Sequence, residues 1–117
     1  MSTRYGVLPA AITAALWFGL DQGLAEQNGI AAVYSYHGGK TSSGEHSNPR
    51  GLTAAHRSLP FGTKVHVTNR RNGRTVVVRI NDRGPFTRGR IIDLTPAAAG
   101  QLGFTGLAPV SLSPIAR

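Results

Sequence analysis

The 117-residue chain has no cysteine, and acidic residues are scarce: five Asp and Glu stand against thirteen Lys and Arg. Without cysteine there is no disulfide to staple an exported fold and no thiol to carry a diacylglyceryl anchor. A zinc centre would need the four histidines, His37, His46, His56 and His66. No two of them have the i, i+4 spacing of a helical ligand pair, so no metal and no other cofactor is expected. From Gly29 onward, Glu45, Asp82 and Asp93 are the only carboxylic side chains. Acid chemistry must therefore be assigned among three residues.

What is present begins with an export signal. Met1 to Ala25 has Arg4 in a short polar start, an apolar run from Val7 to Leu20, and Gly23 and Ala25 at the −3 and −1 positions of a cleavage site. The apolar run, about 14 residues and interrupted by Pro9, is too short to span a bilayer comfortably. Residues 1–25 are therefore expected to be cleaved, with a retained N-terminal anchor as the alternative. Residues 26–117 are expected to form one monomeric domain with a modest core and no stable membrane anchor. The formal net charge of +8 suits an anionic partner. For an exported chain that means cell-wall carboxylates or other envelope polymers, while a merely solvated basic face is the alternative. Basic residues without interleaved aromatics or a recognition helix do not describe a nucleic-acid reader, so no nucleic-acid partner is expected.

Short strands dominate the rest. Ile30 to Tyr36 is β-branched and aromatic and stops at Gly38-Gly39. Lys40 to Gly51 is a polar loop. Lys64 to Asn69 points Val65 and Val67 inward, and Thr75 to Ile80 does the same with Val76, Val78 and Ile80. Asn72-Gly73 between them predicts a type I′ turn. Arg90 to Leu94 is another strand. Thr95-Pro96 then caps an Ala-rich helix ending near Gly103, and Leu107 to Leu112 closes the sheet. About six strands and one short helix predict a mainly β fold, a small closed barrel that leaves no exposed edges.

Asp82 stands at the end of an alternating strand, before Arg83-Gly84-Pro85-Phe86. A carboxyl there can be raised in pKa by partial burial and act as an acid, or it can be an ordinary turn former that accepts backbone N–H groups. Glu45, in a polar loop, reads by itself as a solvated carboxylate. His56, ending the run Leu52-Thr53-Ala54-Ala55, is either a core-edge hydrogen bonder or a base. Asp93, among Ile91, Ile92 and Leu94, suits pairing with an arginine. Arg83, Arg88 and Arg90 bracket the turn and can hold anionic substrate groups or neutralise the aspartates. Tyr34 and Tyr36 offer aromatic stacking surfaces.

Five ordered blocks lie between Leu52 and Leu94 of the expected mature chain: Leu52 to Thr63, Val65 to Asn69, Asn72-Gly73-Arg74, Arg79 to Phe86, and Arg90 to Leu94. Together they resemble the double-psi β-barrel domain of the RlpA (rare lipoprotein A) lytic transglycosylases. The resemblance implies a six-stranded barrel with pseudo-twofold halves, acting on peptidoglycan glycan strands. It implies catalytic positions at Asp82, His56 and Glu45, with Asp82 leading as acid/base and the other two positioning the sugar or tuning Asp82. The implied reaction cleaves the bond between N-acetylmuramic acid and N-acetylglucosamine and closes a 1,6-anhydro ring, which needs no second carboxylate to activate water. Similar barrels in expansins loosen glycan networks without cleaving bonds, so a non-catalytic wall-binding module is the alternative. The family's full-length members carry a lipid-bearing cysteine and often a SPOR-type domain; the resemblance here covers the barrel alone.

Overall fold

The computed structural model describes residues 25–34 and 38–116. The expected signal segment, apart from Ala25, lies outside the described residues, as do Tyr36 and His37. Six strands, β1 (Gln27–Val33), β2 (Thr53–Ala55), β3 (Lys64–Asn69), β4 (Thr75–Asp82), β5 (Arg90–Leu94) and β6 (Leu107–Ala116), close into a barrel in the order β1-β5-β2-β4-β3-β6. Pairs β1/β5 and β2/β4 are parallel, and the other four are antiparallel. Closure leaves no unpaired edge to recruit another chain.

Alternation selects the core. Val65, Val67, Val76, Val78 and Ile80 point inward as expected and meet Ile92, Leu94, Val110 and Leu112 in one cluster. Among the described residues the one helix, α1 (Pro96–Leu102), adds Ala98 and Leu102 to that cluster. Its ends follow the sequence closely. Thr95 Oγ1 accepts the Ala98 N–H, Pro96 occupies the first helical position, and Gly103 ends the helix in the left-handed region at φ 77°. The left-handed conformation is what favours glycine here, since a Cβ on Gly103 would meet first the movable tip of Arg74, Nη1 at 2.7 Å.

Three expectations are corrected. The first strand runs Gln27–Val33 rather than Ile30 to Tyr36, because Gln27, Asn28 and Gly29 pair with Leu112, Ser111 and Val110 of β6. Ladder partners override the poor β propensity of those residues. Thr53–Ala55, read from sequence as an apolar run, is the sixth strand, wedged between β4 and β5 with all three residues buried. The β3–β4 connection is not a two-residue type I′ turn, since among the described residues none other than glycine has positive φ. Instead Asn69 N–H donates to Arg74 O at 2.8 Å around a four-residue loop, in which Gly73 alone is left-handed at φ 77°.

Candidate functional site

β4 carries the site, and a break in its alternation creates it. Both Ile80 and Asn81 are buried, and the parallel register with β2 jumps from Ala54↔Ile80 to Ala55↔Asp82. This bulge turns Asn81 inward and places Asp82 at the strand's last position. Asp82 then lines a cavity of about 170 Å³, together with Tyr34, Asn48, Thr53, Asn81 and Thr95. That volume is below the roughly 300–1,000 Å³ of a pocket that encloses a drug-sized ligand, so it can admit part of a larger molecule.

Three donors hold the Asp82 carboxylate. Oδ1 accepts the backbone N–H groups of Ser42 and Arg83, each at 2.9 Å, and Oδ2 accepts the Tyr34 hydroxyl at 2.9 Å. Burial pushes the carboxyl pKa up, but Ser42, Arg83 and Tyr34 outweigh it and hold Asp82 below its ordinary value. This corrects the idea that burial would raise it. Tyr34 moves the other way: burial, its bond to Asp82 and the charges of Asp82 and Asp93 push the phenol pKa far up. It stays a protonated donor across the ordinary pH range.

The polar loop after Gly39 delivers Ser42. It closes on itself through a Lys40↔His46 bridge and the Thr41 N–H to Glu45 O bond, and the Ser43 N–H ties it to Asn81 O at 3.3 Å. In the same loop Glu45 accepts both Arg79 guanidinium nitrogens, at 2.9 and 3.1 Å, and the Asn81 amide at 2.6 Å. Arg79 and then Asn81 hold its carboxyl below the ordinary value. A carboxylate can only accept, so Glu45 fixes which end of the Asn81 amide faces it. Asn81 Oδ1 is left buried without a partner among the described residues, as is Arg90 Nε. An orphaned acceptor of this kind costs about 1–3 kcal/mol.

His56 abuts Asp82 through the backbone, its N–H donating to Asp82 O at 3.1 Å, while its ring faces elsewhere. Nδ1 accepts the N–H groups of Ser58 and Leu59, each at 3.1 Å, so Nε2 carries the proton toward Gln27 Oε1 at 3.0 Å. Burial, with Arg57 and Arg83 adding to it, lowers the ring's pKa and keeps it neutral. Arg83 donates to the carbonyls of His56 and Leu59 at 3.2 and 2.9 Å and lies 4.0 Å over the Phe61 ring. Arg90 pairs with Asp93 at 2.9 Å, and Arg88 is exposed.

The fold thus brings Tyr34 and Asp82 to one cavity, joins Glu45 to it through Asn81, and ties His56 to Asp82 by the backbone alone. Sequence reasoning passed over Ser42, Arg79 and Asn81. Asn81 is out of phase with Val76, Val78 and Ile80, so the alternation predicts it outward, and only the register with β2 shows the bulge that buries it. Among the described residues no group of three or more His, Cys, Asp or Glu is placed to hold a metal ion.

Two parallel pairs inside one closed six-stranded barrel define a double-psi β-barrel, and sequence comparison says of which kind. Residues 26–112 match the lytic transglycolase family, and the chain belongs to that family as an RlpA-like domain. Over 95 residues it is 59% identical to a probable endolytic peptidoglycan transglycosylase RlpA of Nostoc sp., covering 76% of this chain and 26% of that one. The endolytic peptidoglycan transglycosylase RlpA of Campylobacter jejuni is 52% identical over 92 residues, 75% of this chain and 34% of that one. The chain therefore spans about a quarter to a third of the length of these curated relatives. Among solved structures, a point-mutant expansin of Clavibacter michiganensis in complex with cellohexaose matches with a TM-score of 0.60 and 25% identity, covering 78% of this chain and 50% of that one.

Proposed function

We propose that residues 26–117 form a peptidoglycan lytic transglycosylase domain of the cell envelope, exported by a signal cleaved after Ala25. It cleaves the bond between N-acetylmuramic acid and N-acetylglucosamine and leaves 1,6-anhydro-muramyl ends. The observation that carries this reading is the Asp82 carboxylate at the cavity, with one oxygen occupied by two backbone N–H groups and the other facing a hydroxyl. Oδ1 is saturated as an acceptor, so the transferable proton belongs on Oδ2. Tyr34 can rotate its hydroxyl there to accept instead of donate.

In the reaction, Oδ2–H gives its proton to the leaving glycosidic oxygen as the anomeric bond breaks. The muramyl C6 hydroxyl closes on the anomeric carbon, and its proton returns to Oδ2. Glu45 acts by holding Asn81, and His56 by fixing the loop at Ser58 and Leu59 against β4. With Arg83 and Arg90 engaged internally, Arg88 is the arginine of the three assigned to anionic groups of the wall. The test is mass spectrometry of purified sacculi incubated with the protein. New anhydro-muramyl ends support the reading, and their absence under conditions where the protein binds sacculi overturns it.

A second reading rests on the same carboxylate. Asp82 is held as an anion, the state suited to accepting sugar hydroxyls rather than protonating an oxygen. That state favours a wall-binding module, and the likeness to an expansin solved with cellohexaose points the same way. Binding without new anhydro ends is its signature.

A further inference from the structure

Phe86 is 78% exposed, the highest value among the exposed large hydrophobic side chains; Leu107 follows at 54%. A single exposed phenylalanine would ordinarily require no comment. This one is held in place. Gly84 and Pro85 immediately before it are buried, and Arg83 is fastened by its guanidinium to two backbone carbonyls and the Phe61 ring. The ring also folds back along the chain, since a Cβ built on Gly84 would stand 3.5 Å from Phe86 Cε2. Gly84 is two residues from Asp82, at most about 7 Å along an extended backbone. The ring therefore stands on the turn that directly follows Asp82.

Among the described residues no cation lies over that ring. Phe61, 37% exposed, is covered on one face by Arg83. Phe86 makes no such contact among the described residues. Meanwhile the cavity on the Tyr34 side of Asp82 is too small for a whole saccharide and is lined by polar groups. A glycan that offers an oxygen to Asp82 and substituents to that cavity must carry its next ring outside it. A pyranose presents a face of C–H groups, which suits the negative face of an aromatic ring and removes apolar surface from water.

We infer that Phe86 is a stacking subsite for the pyranose ring next to the bond addressed by Asp82. The inference rests on the peptidoglycan reading above. It assigns Phe86 to positioning: the ring binds sugar in ground and transition states alike, so its loss raises KM and leaves kcat nearly unchanged.

The test measures sedimentation of sacculi with the full mature chain carrying Asp82→Asn, which removes turnover, with and without Phe86→Ala or Phe86→Tyr. Phe86→Ala is expected to weaken binding about five- to tenfold, and Phe86→Tyr to retain it. The melting temperature should be unchanged, because the ring is exposed. Equal binding by the Phe86→Ala protein overturns the inference while leaving the peptidoglycan reading intact. A tyrosine variant as weak as the alanine one also overturns it. So does concentration-dependent dimerisation that Phe86→Ala abolishes without loss of sugar binding, since the ring would then serve a second copy. A protein with Asp82 intact that fails to sediment with sacculi removes the peptidoglycan reading itself, and this subsite with it.

Discussion

At its N-terminal end β4 leaves a hairpin in which two asparagine side chains do structural duty. Asn69 and Asn72 both donate to Leu102 O, at 2.9 and 3.1 Å, which satisfies a carbonyl left open at the end of α1. Their own oxygens accept the Arg71 and Arg74 N–H groups. At its C-terminal end the same strand carries a third asparagine, Asn81, with one amide end held by Glu45 and the other orphaned. Beside it are an anionic Asp82 at a cavity and an exposed Phe86. The same residue type closes the structure at one end and leaves it unfinished at the other. Where local rules are kept at one end and broken at the other, binding or chemistry is expected at the broken end.

Asp82→Asn should separate the two ends most sharply. An amide keeps the two N–H bonds to Oδ1 and can still meet the Tyr34 hydroxyl, but it has no proton to give. Release of anhydro-muropeptides should fall by at least about 10²-fold with the melting temperature little changed. Wild-type turnover by the folded variant would end the assignment of Asp82 as acid.

Leu102→Ala attacks the other end. Leu102 is fully buried in the common core, so its truncation should cost about 2–5 kcal/mol in denaturant unfolding. Activity per folded molecule should survive. If activity is lost while the fold persists at low temperature, the two ends are coupled and the contrast between them fails.

Tyr34→Phe sharpens the account of Asp82's charge. Removing the hydroxyl takes away one of the donors that lower the carboxyl pKa, so that pKa should rise. A general acid acts only when protonated, so kcat/KM falls as pH climbs above its pKa; in the variant that decline should begin at higher pH. Superimposable pH profiles would show that Tyr34 does not tune Asp82.

Stability should depend on pH through the same region. His56 has a folded pKa below its ordinary 6.5, so its contribution is complete above about pH 6.5 and is lost as pH falls toward the folded value. Asp82 and Glu45, also depressed, add a second loss only below their ordinary values of 3.8 and 4.5. Melting temperatures between pH 7 and pH 3 should decline in two stages, and His56→Gln should remove the first. A single-stage decline in the wild type would contradict the buried, neutral histidine.

The smallest effect is expected at the hairpin. Asn72→Ala loses the bonds to Leu102 O and from Arg74 N–H, but Asn69 still serves Leu102 O. A loss of about 1 kcal/mol is expected, with sacculus binding untouched. A change in binding would move part of the site to the wrong end of β4.

Taken alone, the order of residues determined which faces point inward on β3 and β4, and where α1 starts at Thr95-Pro96 and stops at Gly103. Those features are legible because they depend on periodicity and on capping partners only a few residues away. Tertiary structure alone decided that Thr53–Ala55 is a strand, that Gln27 belongs to β1, and that a bulge buries Asn81. It also decided the direction of Asp82's pKa, because the donors that outweigh burial come from Ser42 and Tyr34, 40 and 48 residues away in the chain. Ladder partners and hydrogen bonds that meet only when the barrel closes have no local pattern by which a sequence could announce them.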